Sequence, residues 1–359
     1  MNKTNIGWND HSIEDPRNVD LAVVIGRFNP GPHNGHMTLL RRAEKISKNR
    51  LCLVGSSFIA RDTRNPFRFV ERQQMLQSVL DDSWDVHPVV DDLYNNQVWM
   101  GSVQSQVNTV LEKKGFDPKT ARVALVGYRK DQTSYYLDFF PQYIKVMAQM
   151  EVEMDSTSIR ENLFHYKFVP TSQLPTAIQY YLEDWKTENK EIYENLCGEW
   201  EFMREYKKQF EGLKYPPKFV CVDATVICQG HVLLIKRRSF PGKGLWALPG
   251  GHLNDNEYIM EGIIRELMEE TRIKIEKNLL LASMKGFPRV FDAPGRSLRG
   301  RTISHNGLFV LNTKDLPRVK GDDDAEKARW VPLSEFYGMS EQMFEDHYSM
   351  VNYMIGRAG

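Results

Sequence analysis

Charge of one sign, long apolar runs and paired cysteines are all missing from this chain. Lys plus Arg equals Asp plus Glu at 47 each, so the overall charge favours neither nucleic acid nor a membrane surface as a partner. No apolar run reaches the ~18 residues that a membrane span needs, and the polar start of the chain lacks a signal-peptide core. We therefore expect a cytoplasmic protein, and its oligomeric state stays open.

The cysteine content excludes a disulfide framework and a cysteine-based zinc site. The chain has 4 cysteines, none of them in a CxxC pair, and three lie in apolar runs. This usage is typical of reduced core residues in a cytosolic protein. The cysteines are Cys52, Cys197, Cys221 and Cys228.

The length predicts two domains, because 359 residues exceed the ~250–300 at which a single core stops growing. In the first half, short apolar runs alternate with helix-like segments. This alternation predicts an open parallel sheet with ligand sites at the carboxyl ends of its strands. The predicted strands are Leu21–Phe28, Arg50–Ser57, Val86–Val90 and Ala121–Gly127. We place this domain at residues 1–170.

The character of the chain changes twice after this domain. Residues 171–215 are charged, aromatic and poor in glycine, which predicts a helical connector ending near Pro216 and Pro217. Residues 216–359 then show strands joined by short turns and one helix, Tyr258–Thr271, as in a mixed α/β domain. Further strands are predicted at residues 279–287, 303–312 and 328–333.

Two histidines, His33 and His36, lie between the first predicted strand and the helix that follows. A helix N-terminus carries unpaired N–H groups and partial positive charge, so it attracts phosphate. Gly31 and Gly35 allow a ligand to approach the backbone closely, and imidazoles can donate hydrogen bonds to phosphate oxygens. The pattern indicates a phosphate site, although two surface histidines on a loop would give the same spacing.

Residues 26–36, GRFNPGPHNGH, resemble the nucleotidyltransferase superfamily that carries an H-x-G-H motif. Residues 155–161, DSTSIRE, are similar to its late S-x-T-x-I-R motif, with Ser156 as the expected N-cap. The resemblance implies a Rossmann-like domain in which His33, His36 and Arg160 are catalytic. It also implies substrate contacts from Arg27, Phe28, Ser156, Thr157 and Ser158.

Within the superfamily, Gly55–Leu76 and the stretch NNQVW at residues 95–99 resemble archaeal-type nicotinamide mononucleotide adenylyltransferases. The resemblance implies that Trp99 stacks on the nicotinamide ring and that Asn96 binds beside it, since an aromatic face suits a cationic pyridinium. Lys130 and Asp131 are further expected contacts. The implied substrates are ATP and nicotinamide mononucleotide, the product is NAD, and the reaction needs positioning and charge stabilisation but no enzyme nucleophile.

Residues 251–273 match the Nudix box, G-x5-E-x7-R-E-U-x-E-E-x-G-U, except that Arg272 replaces the final glycine. Glu266, Glu269 and Glu270 fall at i, i+3 and i+4, so they share one helix face. Three adjacent carboxylates need a cation, and their oxygens suit Mg²⁺ or alternatively Mn²⁺. The resemblance implies a Nudix α/β/α sandwich, metal ligation by these three glutamates and hydrolysis of a diphosphate.

The run from Pro288 to Phe309 resembles the D-x-P-x-R-x-x-R-G-R segment of Nudix members that handle ADP-ribose. It implies that Arg296, Arg299 and Arg301 grip the diphosphate of ADP-ribose, which is split into AMP and ribose 5-phosphate. The residues leave the general base open. The acidic residues before the last predicted strand are candidates, with a solvated turn as the alternative: Asp322, Asp323, Asp324 and Glu326.

Together the two modules resemble a bifunctional enzyme that makes NAD and removes one of its breakdown products. Two alternatives stay open at this point. The first half could use another acceptor, such as a phosphopantetheine or flavin precursor, which Trp99 argues against. The second half could be a non-catalytic ADP-ribose sensor, as in related transcriptional regulators, but the chain shows neither a winged-helix segment nor a degraded box.

Overall fold

The computed structural model describes residues 19–128, 137–148, 155–321 and 325–358. These residues form two α/β domains with a pair of helices between them in the chain. Among them, no helix is both long enough and apolar enough to cross a membrane.

The N-terminal domain is built on a five-stranded parallel sheet. Its strands are β1 (Leu21–Gly26), β2 (Arg50–Val54), β3 (Trp84–Pro88), β4 (Val123–Gly127) and β5 (Ile144–Met147). Across the sheet the order is β3-β2-β1-β4-β5, and each neighbouring pair is parallel. The predicted parallel sheet is thereby confirmed. Because the strand order reverses between β1 and β4, the ligand crevice is expected there.

Helices cover both faces of this sheet because its central strand is apolar on both sides. The helices of the domain are α1 (Asn34–Ile46), α2 (Phe69–Gln77), α3 (Asn96–Lys113) and α4 (Ser156–Phe164). Ala22 and Val24 of β1 belong to the core that α1 covers, whereas Leu21 and Val23 point to the core that α3 covers. Side chains alternate between the faces of a strand, so β1 anchors both layers.

The segment between the domains consists of α5 (Thr176–Glu188) and α6 (Lys190–Lys208). Apolar residues of both helices share a core with Met75 of α2 and with Phe67 just before that helix. Ile159 and Leu163 of α4 belong to the same core. The predicted connector is therefore helical and packs on the N-terminal domain. The boundaries at residues 170 and 215 stay a prediction.

The C-terminal domain has a mixed sheet between helices. Its strands are β6 (Lys218–Cys228), β7 (His231–Arg237), β8 (Trp246–Ala247), β9 (Gly250–His252), β10 (Arg289–Phe291), β11 (Arg301–Leu311) and β12 (Ala325–Pro332). The main path is β10-β11-β6-β7-β12, with β8 on β7 and β9 on β6. Its helices are α7 (Ile259–Thr271), α8 (Lys277–Ala282), α9 (Leu333–Phe336) and α10 (His347–Ile355).

The two long helices of this domain lie on opposite faces of the mixed sheet. Ile263 and Leu267 of α7 pack against one face, and Met350 and Val351 of α10 pack against the other. This arrangement is the predicted α/β/α sandwich.

Several elements differ from the sequence-based expectation, among them β10 and α9, which were not predicted. Residues 279–287, predicted as a strand, begin within the short helix α8 instead. A short apolar run has no period that separates a buried strand from a buried helix turn. Strand β5 and helix α10 were not predicted, because neither has a distinctive pattern of its own.

Candidate functional site

His33 and His36 hold each other at the N-terminus of α1. The Nδ1 atom of His33 accepts from the His36 backbone N–H at 3.3 Å, and the Nδ1 atom of His36 accepts from the His33 N–H at 3.4 Å. Their ring centroids are 3.8 Å apart, and Phe28 packs on His36 at 4.7 Å. Because each Nδ1 is an acceptor, the ring proton lies on Nε2, which makes both histidines Nε2–H donors.

Arg160 joins the late motif to the loop that follows β1. It donates to the Asn29 carbonyl at 3.1 Å and to the Thr157 hydroxyl at 3.2 Å. Burial, together with the positive charge of Arg27, lowers the pKa of Arg160 to about 10, so it stays charged near neutral pH. The structure thus brings the two sequence motifs into one place.

The expected cap of α4 is different in the structure. Asp155, not Ser156, is the N-cap, and its carboxylate accepts from the Thr157 N–H at 3.0 Å. Ser156 is the first helical residue, and the Ser158 hydroxyl donates to the Asp155 carbonyl at 2.8 Å. An Asp caps a helix as well as a Ser does, so the sequence leaves the choice between neighbours open.

Arg72 belongs to the Glu71-Arg72 pair that follows Asn-Pro-Phe, which the resemblance implies helps to shape the site. Its buried guanidinium donates to three backbone carbonyls beyond β1 and β2, those of Arg27, Gly55 and Ser56, at 2.6, 2.7 and 2.9 Å. It fixes the two loops that frame the crevice. The only signal in the sequence is its place in the Gly55–Leu76 stretch, because burial of an arginine cannot be read from spacing.

The residues expected around the mononucleotide lie at the start of α3. Asn95 caps this helix by accepting from the N–H groups of Gln97 and Val98, and Asn96 is the exposed first helical residue. Trp99 is half-buried, and its ring lies 5.7 Å from that of Phe140. Lys130 and Asp131 lie outside the described residues.

In the second domain, Arg265 organises the acidic face of α7. It binds Glu257 through two hydrogen bonds of 2.9 and 2.7 Å, and it donates to Glu266 and Glu269 at 2.9 Å each. The bonds from Arg265 lower the pKa of Glu257 to about 2. The Glu257–Arg265 pair therefore links the loop before α7 to the helix.

Glu270 is the buried member of the three glutamates. It accepts from the Gly250 N–H at 2.8 Å, which ties α7 to β9. Burial raises the pKa of Glu270 to about 8, and the carboxylate of Glu266 adds to the rise. Burial also raises the pKa of Glu266. Two neighbouring carboxyl groups with raised pKa values indicate that a cation bound between them would be stabilised.

The glutamates of α7 have the type of donor atom that a divalent cation binds. Glu266, Glu269 and Glu270 supply the hard oxygen donors that Mg²⁺ and Mn²⁺ take. Gly251 has no Cβ, and one placed there would lie 2.4 Å from the Glu266 carboxylate, so this glycine makes room for it. In this conformation the positive charge of Arg265 balances the charge of Glu266 and Glu269. Among the described residues, no three His, Cys, Asp or Glu side chains are arranged closely enough to hold a metal ion.

The three arginines of the ADP-ribose-like segment have different surroundings. Arg296 is buried and pairs with Asp346. Arg299 is largely buried and lies 3.9 Å from Glu345, whereas Arg301 is partly exposed and lies 3.6 Å from Asp292. Arg296 was expected to contact the diphosphate, whereas its guanidinium is buried and paired with Asp346. Its direct contact with substrate stays a prediction.

The candidates for the general base lie just before β12 in the chain and at its start. Asp322, Asp323 and Asp324 lie outside the described residues. Glu326 is exposed on β12 and lies 3.9 Å from Lys236.

Comparison with protein families divides the chain in the same way as the fold does. Residues 23–176 match the cytidylyltransferase-like family, and residues 218–354 match the NUDIX domain. The first span carries the two histidines and Arg160, and the second carries the Nudix box.

Individual relatives match each half. A nicotinamide/nicotinic acid mononucleotide adenylyltransferase of Acinetobacter baylyi is 32% identical over 49% of this chain and 91% of its own length. An ADP-ribose pyrophosphatase of Methanocaldococcus jannaschii is 32% identical over 37% of this chain and 75% of its own length.

One solved structure matches both halves at once. It is the crystal structure of a bifunctional NMN adenylyltransferase/ADP ribose pyrophosphatase from Francisella tularensis, complexed with AMP and a manganese ion. It is 32% identical, with a TM-score of 0.88, over 95% of this chain and 100% of that chain.

Proposed function

The chain belongs to the family of bifunctional NMN adenylyltransferase/ADP-ribose pyrophosphatases, and we propose that each domain performs one of the two reactions at its own site. The N-terminal domain transfers the adenylyl group of ATP to nicotinamide mononucleotide, giving NAD and pyrophosphate. The C-terminal domain hydrolyses ADP-ribose to AMP and ribose 5-phosphate. The observation that carries this conclusion is the similarity to one bifunctional enzyme over 95% of the chain.

Adenylyl transfer needs no enzyme nucleophile. An oxygen of the mononucleotide 5′-phosphate attacks the α-phosphorus of ATP, the bond to the bridging oxygen breaks, and pyrophosphate leaves. We assign His33 and His36 as Nε2–H donors to phosphate oxygens, because their Nδ1 atoms are engaged by backbone N–H groups. Arg160 and Arg27 would offset the negative charge of the triphosphate. Catalysis is then positioning plus charge stabilisation.

The acceptor would bind at the start of α3. We assign Trp99 as the platform for the nicotinamide ring and Asn96 as its polar neighbour, with Lys130 and Asp131 as further contacts. Ser156, Thr157 and Ser158 would offer hydroxyl and backbone N–H groups to phosphate at the start of α4. Phe28 supports this site by packing on His36.

Hydrolysis in the second domain would use the glutamates of α7. Glu266, Glu269 and Glu270 would hold divalent cations, for which we propose Mg²⁺ with Mn²⁺ as a substitute. Such ions polarise a diphosphate and activate water. Glu257 and Arg265 orient the loop and the helix, and Arg299 and Arg301 would grip the diphosphate. Glu326 and Asp322–Asp324 stay candidates for the general base.

The test is an acceptor and product assay on the purified protein. With ATP and Mg²⁺, we expect NAD from nicotinamide mononucleotide, with nicotinate mononucleotide as the comparison acceptor and phosphopantetheine as the negative control. With Mg²⁺ and ADP-ribose, we expect AMP and ribose 5-phosphate. Turnover of phosphopantetheine but not of either mononucleotide would contradict the first assignment. Binding of ADP-ribose without cleavage would make the second domain a sensor.

A further inference from the structure

Asp346 is a buried carboxylate at the junction of the two domains. Its side chain is 1% exposed, and it forms two hydrogen bonds with Arg296, from Nε at 2.9 Å and from the guanidinium NH2 group at 2.7 Å. The Arg296 side chain is itself 3% exposed. Breaking such a pair leaves a buried charge uncompensated, so the pair holds Arg296 firmly in place.

The third member of this group comes from the other domain. The Tyr94 hydroxyl donates to the same carboxylate of Asp346. The Tyr94 ring is packed edge-on against Phe291 of β10, with centroids 5.0 Å apart. Burial and the charge of Asp346 raise the pKa of Tyr94, so the hydroxyl keeps its proton and remains a donor. A side chain of the adenylyltransferase domain is thus packed against the core of the Nudix domain.

Arg296 belongs to the segment that carries the arginines assigned to ADP-ribose. This segment, residues 292–301, joins β10 to β11 and contains Arg299 and Arg301. A second contact from the N-terminal domain reaches it, because Arg64 donates to the Gly295 carbonyl at 2.5 Å. Without these contacts, the segment would be a surface loop of a kind that is usually mobile.

The same group also lies close to the acidic face of α7. Asp223 of β6 is buried, which raises the pKa of its carboxyl to about 6, and the nearby charge of Arg296 offsets part of that rise. Asp223 pairs across the sheet with Gly250, and the Gly250 N–H donates to Glu270. Arg296 is therefore connected through β6 and β9 to a glutamate assigned to the metal site.

We infer that Tyr94 is a positioning residue for the pyrophosphatase reaction, supplied by the adenylyltransferase domain. Through Asp346 it holds Arg296, and Arg296 fixes the 292–301 segment from which Arg299 and Arg301 meet the diphosphate. This inference rests on the pyrophosphatase activity proposed above. It makes the N-terminal domain a structural part of the second active site.

The kinetic test compares Tyr94→Phe with wild type in the full-length protein. The substitution removes one hydroxyl and keeps the ring on Phe291. We expect KM for ADP-ribose to rise about fivefold to tenfold, less than the full loss of one hydrogen bond to a charged group because Tyr94 acts on the substrate only through Asp346 and Arg296, with kcat within about twofold. The adenylyltransferase constants should not change. Tyr348→Phe is the matched control, since its hydroxyl donates to the Tyr337 carbonyl elsewhere in this domain.

Three kinetic outcomes would overturn the inference: an unchanged KM for ADP-ribose, a loss of kcat without a change in KM, or a parallel loss of both activities. Hydrogen–deuterium exchange of residues 292–301 supplies a readout that needs no turnover. Exchange should be faster in Tyr94→Phe than in Tyr348→Phe, and equal exchange would contradict the inference. If the wild type does not hydrolyse ADP-ribose, the proposed activity fails, while the exchange result still decides the role of Tyr94.

Discussion

At the scale of single residues, the proposed adenylyltransferase site depends on His33 and His36 and on the loops that the buried Arg72 holds. The sequence predicted His33 and His36 as a phosphate site from their place between a strand and a helix. It could not predict that each ring caps the backbone of the other, which fixes both as Nε2–H donors. The resemblance implied that the Glu71-Arg72 pair shapes the site, but not that Arg72 is buried and binds three carbonyls, because those partners are known only from the structure.

We predict that Arg72→Met lowers the free energy of unfolding of the N-terminal domain by about 3 kcal/mol or more, because three carbonyls lose a charged donor in a buried place. Urea unfolding followed by circular dichroism measures the change. Arg41→Met is the control, since Arg41 is exposed on α1, and it should cost less than about 0.5 kcal/mol. Equal costs for the two variants would show that the Arg72 bonds do not support the crevice.

At the scale of elements, helix α7 ends with a residue in the left-handed conformation that glycine usually adopts, although this residue is Arg272. Arg272 is the C-cap of α7 and adopts a left-handed backbone, with φ 41° and ψ 36°. Its N–H donates to the Met268 carbonyl, which completes the last turn. The Nudix box has a glycine at this position. The structure keeps the usual helix end at the cost of a strained non-glycine residue.

Replacing this residue by glycine should therefore stabilise the protein. We predict a gain of about 0.5–1 kcal/mol for Arg272→Gly, because glycine adopts positive φ without a Cβ penalty. Arg272→Ala removes the same side chain but keeps the strain, so it should bring no gain. Thermal unfolding of the two variants side by side separates the backbone effect from the side-chain effect. Equal stability of the two variants would refute this account of the helix end.

The sequence predicted the elements with a strong period and missed those without one. The parallel strands and α7 could be predicted because continuous apolar runs and i, i+3, i+4 spacing are local signals. Residues 279–287 were assigned wrongly because a short apolar run fits either a strand or a helix. The roles of Arg296 and Asp346 depend on a contact between residues 50 positions apart, which no local pattern reports.

At the scale of the whole molecule, the two domains are joined by buried polar contacts as well as by the chain. Glu199 of α6 is 4% exposed and accepts from the Gly242 N–H of the Nudix domain at 2.7 Å. Burial raises the pKa of Glu199 to about 7. The ring of Phe202, also on α6, lies 6.1 Å from that of Phe240. The connector helices therefore dock on both domains.

This contact predicts a pH dependence of stability. A carboxyl whose folded pKa lies above its ordinary value of 4.5 stabilises the fold most below that value, and the stabilisation is lost as the pH rises towards 7. Glu199→Gln keeps an acceptor for Gly242 but cannot ionise. The variant should match wild type near pH 4 and exceed it near pH 8, by about 3 kcal/mol at most. Parallel curves of melting temperature against pH for the two proteins would contradict the shifted pKa.

The central claim is that one chain holds two separate phosphate-handling sites, one that builds a diphosphate linkage between two mononucleotide units and one that hydrolyses the diphosphate linkage of ADP-ribose. The most direct test measures NAD synthesis and ADP-ribose hydrolysis on His36→Ala and on Glu269→Gln. The account predicts that His36→Ala abolishes synthesis and keeps hydrolysis, and that Glu269→Gln does the reverse. Loss of both activities in either folded variant would contradict it.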